Sequence, residues 1–444
     1  MYVKTTGNNK FKSYISAAIL IVMSLILIYV GHFLFGVKNS SKGEIAADES
    51  SIAGTVAETP GTAPTGSAAN AVRYVHKSET LNGLKQEVNI LEIDPGAGGI
   101  KILPVLSYDL IYGFEKLSAM AERKAAYAAV NGGFFREFGL PSGMVVINGE
   151  LISASTGKYP VFVIEDGKAS LKEINGKLSI EYSRSTGASA GGAGAVGSSG
   201  SIGSRGGSAD SGKSDSSGSN GKTADGPAAS PESLPVDNLN ALPKDKQIVV
   251  YTPAYGKSNR ARKRNITATI VDGIVTRISD YSGEAEIPEN GMLISFFDTL
   301  RYTGIELPIK EGDSAKLAYS PAIGADMQAY ECGSWLVRNG APVVGEKDAW
   351  VGVMTNRDPR TAVGIKADGT VILLTVDGRQ PGFSAGFTGQ ELAEYLIGCG
   401  ARDAAMLDGG ASTEMLLKGK LVNRPSYRGQ ERELAGGILV LTDN

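Results

Sequence analysis

The stretch from Val371 to Met415 constrains this chain more than any other. It reads VILLTVDGRQPGFSAGFTGQELAEYLIGCGARDAAMLDGGASTEM. The run Val371–Val376 is apolar and β-branched, long enough for a buried strand. It ends in Asp377-Gly378-Arg379 and a loop rich in Gly, Pro and Ser. Thr388 is placed to cap a helix beginning near Gly389, with Glu391 as its capping-box partner. Leu392, Tyr395 and Leu396 give that helix an apolar face, and Gly398 and Gly400 stop it. A second short strand, Ala404–Leu407, then delivers Asp408-Gly409-Gly410. Two strands joined by a helix thus each carry an aspartate and a glycine at their carboxyl end. Open α/β sheets place their ligands at that edge.

Composition removes several chemistries from this edge. The chain has 444 residues, enough for a large core, and a formal net charge of -3, which gives no sign of a nucleic-acid partner. It has only two histidines, His32 and His76. A Ser-His-Asp hydrolase or a His-ligated zinc site needs imidazole near the chemistry, and His76 alone would have to supply it. Cys332 and Cys399 are too few for a thiolate cage; they read as two small buried thiols, with a single disulfide as the alternative.

The chain divides by composition. Residues 1–13 are polar with Lys4, Lys10 and Lys12, and residues 14–35 are almost wholly apolar. That length matches the ~20 residues needed to cross a bilayer, and the flanking charges put the N-terminus in the cytoplasm. A cleaved signal peptide fits less well, because no small-residue cleavage pattern follows the segment. The expectation is a single-pass protein: a cytoplasmic tail at 1–13, a transmembrane anchor at 14–35, a flexible Ser/Ala/Gly/Thr/Pro-rich linker at 36–71, and an extracellular domain at 72–444 facing the cell surface. Within that domain, 183–230 is low in complexity and reads as a disordered insertion. Arg260–Arg264 is a local basic run, read as a solvated loop or strand edge.

Strand-like segments fill most of the remainder: near Val72–Val75, Val88–Ile93, Ile100–Val105, Ala125–Val130, Val161–Ile164, Leu178–Tyr182, Ile248–Tyr251, Ile266–Val271, Ile274–Ile278 and Ile438–Leu441. Hairpins are expected at Val145–Ile152, around Asn148-Gly149, and at Met415–Val422. Leu117–Lys124 and Phe296–Tyr302 read as short helices. The predicted fold is an α+β or mixed α/β domain, a large, partly antiparallel mixed sheet flanked by helices and preceded by one transmembrane helix.

Four constellations carry polar chemistry beside glycine: Asn131-Gly132-Gly133-Phe134-Phe135, Arg357-Asp358-Pro359-Arg360-Thr361, Asp377-Gly378-Arg379, and Asp408-Gly409-Gly410-Ala411-Ser412-Thr413. Glycines let backbone N–H groups converge on an anion, and arginine offers a planar charged fork for phosphate. Two aspartates can share the work of nucleophile, base or acid. Singly, each motif reads more simply: Asp-Gly as a turn, and Phe134 and Phe135 as core.

In this order, Asn131–Phe135, Arg360–Gly364, Asp377–Ser384, Thr388–Leu392 and Leu407–Thr413 resemble the phosphodiester glycosidase family. Val422–Ser426 and Gly429–Arg432 are similar to the family's ending. Ala411 stands where the family commonly has a third glycine, and Glu414 where a small or hydroxylated residue is common. The resemblance implies hydrolysis of a sugar-1-phosphate diester at its glycosidic bond, with a glycan or glycosyl phosphate as substrate. The departing phosphate is already a stable anion, so a cationic cradle and a carboxylate matter more than a strong general acid. On this reading Arg360, Arg379 and the backbone at Gly132–Gly133 and Gly409–Gly410 hold phosphate. Asp377 and Asp408 are the candidate catalytic carboxylates. Asn131, Phe134, Thr361, Ser412 and Thr413 complete the substrate site. No cofactor is required, and a metal would be Ca²⁺ or Mg²⁺ on oxygen ligands. Outward anchoring points to cell-envelope polysaccharide. A module that binds phosphate-bearing polysaccharide without turnover is the alternative.

Overall fold

The computed structural model describes residues 71–185, 231–297 and 307–443. The described chain opens with the hairpin β1 (Val72–Leu81) and β2 (Leu84–Ile93), then β3 (Ile100–Leu106), helix α1 (Leu117–Arg123) and β4 (Ala128–Asn131). The hairpin β5 (Val145–Ile147) and β6 (Glu150–Ser153) turns at Asn148 and Gly149, both with positive φ, as the Asn-Gly pair demands. Towards the carboxyl end come β7 (Arg360–Lys366), β8 (Val371–Val376), α2 (Gly389–Gly398), β9 (Ala401–Met406), β10 (Met415–Leu417) and β11 (Gly436–Thr442).

Among the described residues, sheets of seven and eight strands and two of five strands build the body. One runs β1-β2-β8-β7-β9 and continues into Trp335–Arg338 and Ala341–Pro342. Another contains β10, β4, β11 and β3 in that order. An eight-stranded sheet holds the middle of the chain, where Tyr182 of Lys177–Ser183 pairs with Glu232 of Glu232–Val236. The two described flanks of the low-complexity segment are therefore neighbouring antiparallel strands. Of the expected insertion, 186–230 lies outside the described residues.

The expectation of a mixed sheet flanked by helices is corrected. Among the described residues there are only two α-helices, and the sheets are mostly antiparallel. The local signal misled because Val371–Val376 is buried throughout, as a strand sandwiched between helices would be. Its two faces are covered differently. Ile372 and Leu374 pack with Leu392, Ala393 and Leu396 of α2, while Val371 and Leu373 join a cluster containing Val130, Ile438, Phe162 and Val249 from other sheets. One helix and several sheets do what two helical layers were expected to do. Phe296, expected in a helix, lies in the strand Gly291–Phe297, and 298–306 lie outside the described residues.

The expected membrane anchor is corrected as well. No helix among the described residues is long and apolar enough to cross a membrane. Residues 14–35, with the tail before them and the linker up to residue 70, lie outside the described residues. The single-pass topology, the membrane partner and the cell-surface location therefore have no structural support.

What matters for function is the centre of the first sheet. β8 and β9 each pair antiparallel with β7, so they run parallel to one another on its two sides. Their carboxyl ends, and the start of β7, fall at one edge. The crossover through α2 begins at a full capping box: Glu391 N–H donates to Thr388 Oγ1 at 3.1 Å, and Thr388 N–H to the Glu391 carboxylate at 3.0 Å. Such a cap contributes about 1 kcal/mol. Glu391 also binds Arg357, tying the loop before β7 to the helix.

Candidate active site

Asp358 and Pro359 sit where the loops of this edge meet. The main chains of Asp358 and Phe387 exchange hydrogen bonds of 3.2 and 3.1 Å. Gly378 and Gly409 both pack against Pro359: a Cβ at Gly378 would lie 2.6 Å from its nitrogen, and one at Gly409 2.9 Å from its carbonyl oxygen. The absence of side chains there lets the Asp377 and Asp408 loops close on the same residue. Gly410 N–H donates to that same carbonyl at 2.8 Å.

Arg379 bridges the loops. Its Nε donates to Asp358 Oδ1 at 2.8 Å, and its guanidinium lies against Gly410, 3.2 Å from where a Cβ would sit. The side chain is 52% exposed, so part of the fork faces solvent beside the Asp408 loop. Arg360 differs. It is 1% exposed, its Nε donates to the Phe387 carbonyl at 3.1 Å, and its Nη2 to the Asn356 carbonyl at 2.9 Å. Its charge faces Asp358 at 3.5 Å. Arg360 braces the loops from beneath, and Arg379 is the arginine at the surface.

The two aspartates are held in contrasting ways. Asp377 is 2% exposed, and each carboxylate oxygen is matched to a donor: Asn423 Nδ2 to Oδ1 and Arg424 N–H to Oδ2, both at 2.9 Å. Burial pushes its carboxyl up to about 6 against these bonds. Asp408 is only partly buried. Its Oδ1 accepts from Gly409 N–H at 2.9 Å, and the Ser412 side chain also bonds to it. Burial raises its pKa too, opposed by Arg432.

Asn131, Thr361 and Asp408 form one network. Thr361 Oγ1 donates to Asn131 Oδ1 at 2.7 Å, and Asn131 Nδ2 to the Asp408 carbonyl at 2.6 Å. Asp408 N–H donates to the Gly132 carbonyl at 3.1 Å. Asn131 and Thr361 are buried, so they fix the Asp408 backbone from behind. Gly132 and Gly133 lie against Tyr330, whose hydroxyl would be 2.6 Å from a Cβ at Gly132. Ser412 and Thr413 are buried; the Thr413 carbonyl accepts from Asn423 Nδ2 at 3.0 Å, linking the Asp408 loop to the clasp around Asp377. Phe134 stacks on Trp350, ring centroids 5.8 Å apart.

Several members carry little sequence signal. Trp350 is presented by a turn whose N–H groups at Trp350 and Val351 donate to Asp348 Oδ1 at 2.6 and 2.8 Å. Tyr330 is fully buried and feels the charge of Asp408. Arg432 acts electrostatically on both Asp408 and Glu414, and no carboxylate among the described residues pairs with it. Its N–H donates to Glu414 Oε1 at 2.7 Å. Glu414 is fully buried and its Oε2 has no partner, so burial pushes this carboxyl up to about 8. His76 Nε2 lies 2.9 Å from the Glu87 carboxylate, and both residues act electrostatically on Asp377. The two cysteines are free thiols.

Comparison with known proteins agrees with the motifs. Residues 264–441 match the model of the phosphodiester glycosidase family. This span holds the loops of Asp358, Asp377 and Asp408; Asn131 lies outside it. Over that span the chain is similar to the phosphodiester glycosidase domain.

Among individual relatives, an uncharacterised prophage-derived protein of Bacillus subtilis is 26% identical over 194 residues, which cover 41% of this chain and 30% of that protein. The N-acetylglucosamine-1-phosphodiester alpha-N-acetylglucosaminidase of Bos taurus is 33% identical over 111 residues, 22% of this chain and 20% of that enzyme. The chain thus spans less than a third of the length of either relative. A crystal structure of a hypothetical protein from Synechocystis has the same fold at a TM-score of 0.62, with 20% identity over 84% of this chain and 62% of the other.

Proposed function

We propose that the chain hydrolyses the glycosidic bond of sugar-1-phosphate diesters of the N-acetylglucosamine-1-phosphate type. The observation that carries this reading is the seating of a half-exposed guanidinium, Arg379, against Gly410 in the loop that begins at the partly buried Asp408. Asp408 meets the developing oxocarbenium centre, as nucleophile or as base for water. Arg379, with Arg432 beyond Asp408, holds the departing phosphate monoester, whose negative charge needs cations more than it needs a proton. Asp377, enclosed by Asn423 and Arg424, positions the 423–424 loop and does not touch the reacting atoms. Arg360, Asn131 and Thr361 keep the loop ends in register.

The reading requires no cofactor; activity lost to EDTA and restored by Ca²⁺ or Mg²⁺ would add one. The substrate is defined by its chemistry, since an envelope location rested on the anchor. The test is a product assay on a synthetic N-acetylglucosamine-1-phosphate diester. Free N-acetylglucosamine and a phosphate monoester are expected. Release of N-acetylglucosamine 1-phosphate would make the protein an ordinary phosphodiesterase, and binding without product a passive module.

A further inference from the structure

The loop that leaves the Asp408 network at Gly132 does not return to the core at once. Phe134 stacks on Trp350, and the Arg136 guanidinium lies over the same indole, 5.9 Å from its centroid. Phe138 then stacks on Tyr112 at 6.0 Å, and the Tyr112 ring carries the Arg260 guanidinium 4.0 Å from its centroid. Phe138 is 56% exposed, and both arginines are exposed. No carboxylate among the described residues pairs with either arginine.

The local backbone holds these side chains outward against its own preference. Phe138 has φ 62° and Arg260 φ 50°, in the left-handed region that bulky side chains rarely adopt. The tight turn is fastened by Gly113 N–H to the Phe138 carbonyl at 3.0 Å and Arg136 N–H to the Leu140 carbonyl at 2.7 Å. A core aromatic would need no such arrangement. The basic run that reads in sequence as a solvated edge thus sends its first arginine onto this aromatic surface.

We propose that this strip, from Trp350 and Arg136 to Phe138, Tyr112 and Arg260, is an extended subsite for a glycan chain joined through anionic phosphodiesters. Apolar sugar faces lie on the rings, and the successive phosphates meet Arg136 and Arg260. The proposal rests on the reading of the Asp408 site as a glycosyl-phosphate hydrolase. It makes a polymer, and not a single glycosyl phosphate, the preferred substrate. Continuity with the Asp408 loop through Gly132 favours a glycan over a lipid surface, because the strip then leads to the reacting bond.

The test compares wild-type protein with Phe138→Ala and Arg260→Glu, both distant in sequence from the catalytic loops. Binding to a glycosyl-1-phosphate polymer is measured by affinity electrophoresis, beside a neutral glycan of similar length and phosphatidylglycerol vesicles. Each variant should weaken polymer binding by about three- to tenfold, and turnover of the small synthetic diester should stay within about twofold of wild type, a readout that a misfolded variant would fail. Unchanged polymer binding in both variants overturns the proposal. So does equal binding of the neutral glycan, or loss of vesicle binding in place of polymer binding. The binding arm reports on the strip even if the small diester is never hydrolysed, so the two readings fail separately.

Discussion

The loops after β8 and β9 begin alike, Asp-Gly at the end of a parallel-running strand, and they end as opposites. Asp377 is enclosed: both oxygens are bonded to a neighbouring loop and the residue is 2% exposed. Asp408 is anchored through its main chain by Asn131 and Gly132; its carboxyl is bonded only within its own loop, to Gly409 N–H and Ser412, the residue is partly exposed, and Arg379 lies against Gly410 of the same loop. The difference lies in which part of the residue the surroundings grip. A carboxylate whose acceptors are all filled by fixed donors is a clasp. One whose backbone is fixed and whose side chain is partly free can meet a substrate.

The sharpest way to break this contrast is to neutralise each carboxylate in turn. Asp408→Asn is expected to lower kcat on the order of 10³-fold while leaving the melting temperature nearly unchanged, by steady-state kinetics and calorimetry. Asp377→Ala should do the reverse. It strands the Arg424 N–H without an acceptor and leaves Asn423 Nδ2 only the Thr413 carbonyl, a loss of roughly 2–3 kcal/mol read by denaturant unfolding, with a smaller fall in activity. If Asp377→Ala is stable and inactive, the roles are exchanged.

Arg379→Ala should raise KM for the diester about 10- to 100-fold, the worth of one charge-assisted contact, without unfolding the protein. Glu414 sharpens the comparison from another side, as a buried carboxyl with one unmatched oxygen. Its pKa is raised in the fold to about 8 from 4.5. Its contribution to stability is therefore full below about pH 4.5, falls as pH rises and is gone above about 8, a swing on the order of a few kcal/mol. Glu414→Gln should flatten that part of the stability–pH profile. Thr388→Ala, which removes the cap of α2 but no part of the site, should cost only about 1 kcal/mol.

Much of the site was legible because its signals are local. Thr388 and Glu391 announce the capping box, Asn148-Gly149 the hairpin, and the paired Asp-Gly ends the shared edge. The sequence pattern could not show β7 lying between β8 and β9, because strand order follows long-range pairing. Nor could it show that sheets cover the second face of Val371–Val376, since a fully buried strand looks the same under helices or sheets. The burial of Arg360 and the exposure of Arg379 were equally hidden: both are arginines beside strand ends, and only the packing of Asn356, Phe387 and Gly410 tells them apart. Trp350 lies in a stretch with no periodicity and is placed by Asp348.

The central claim is that the bond broken joins sugar carbon to oxygen. Hydrolysis of an N-acetylglucosamine-1-phosphate diester in ¹⁸O-labelled water, followed by mass spectrometry of both products, tests it most directly. The account predicts the label in the anomeric hydroxyl of free N-acetylglucosamine and none in the phosphate monoester. Label in phosphate would place the cleavage at phosphorus and contradict it.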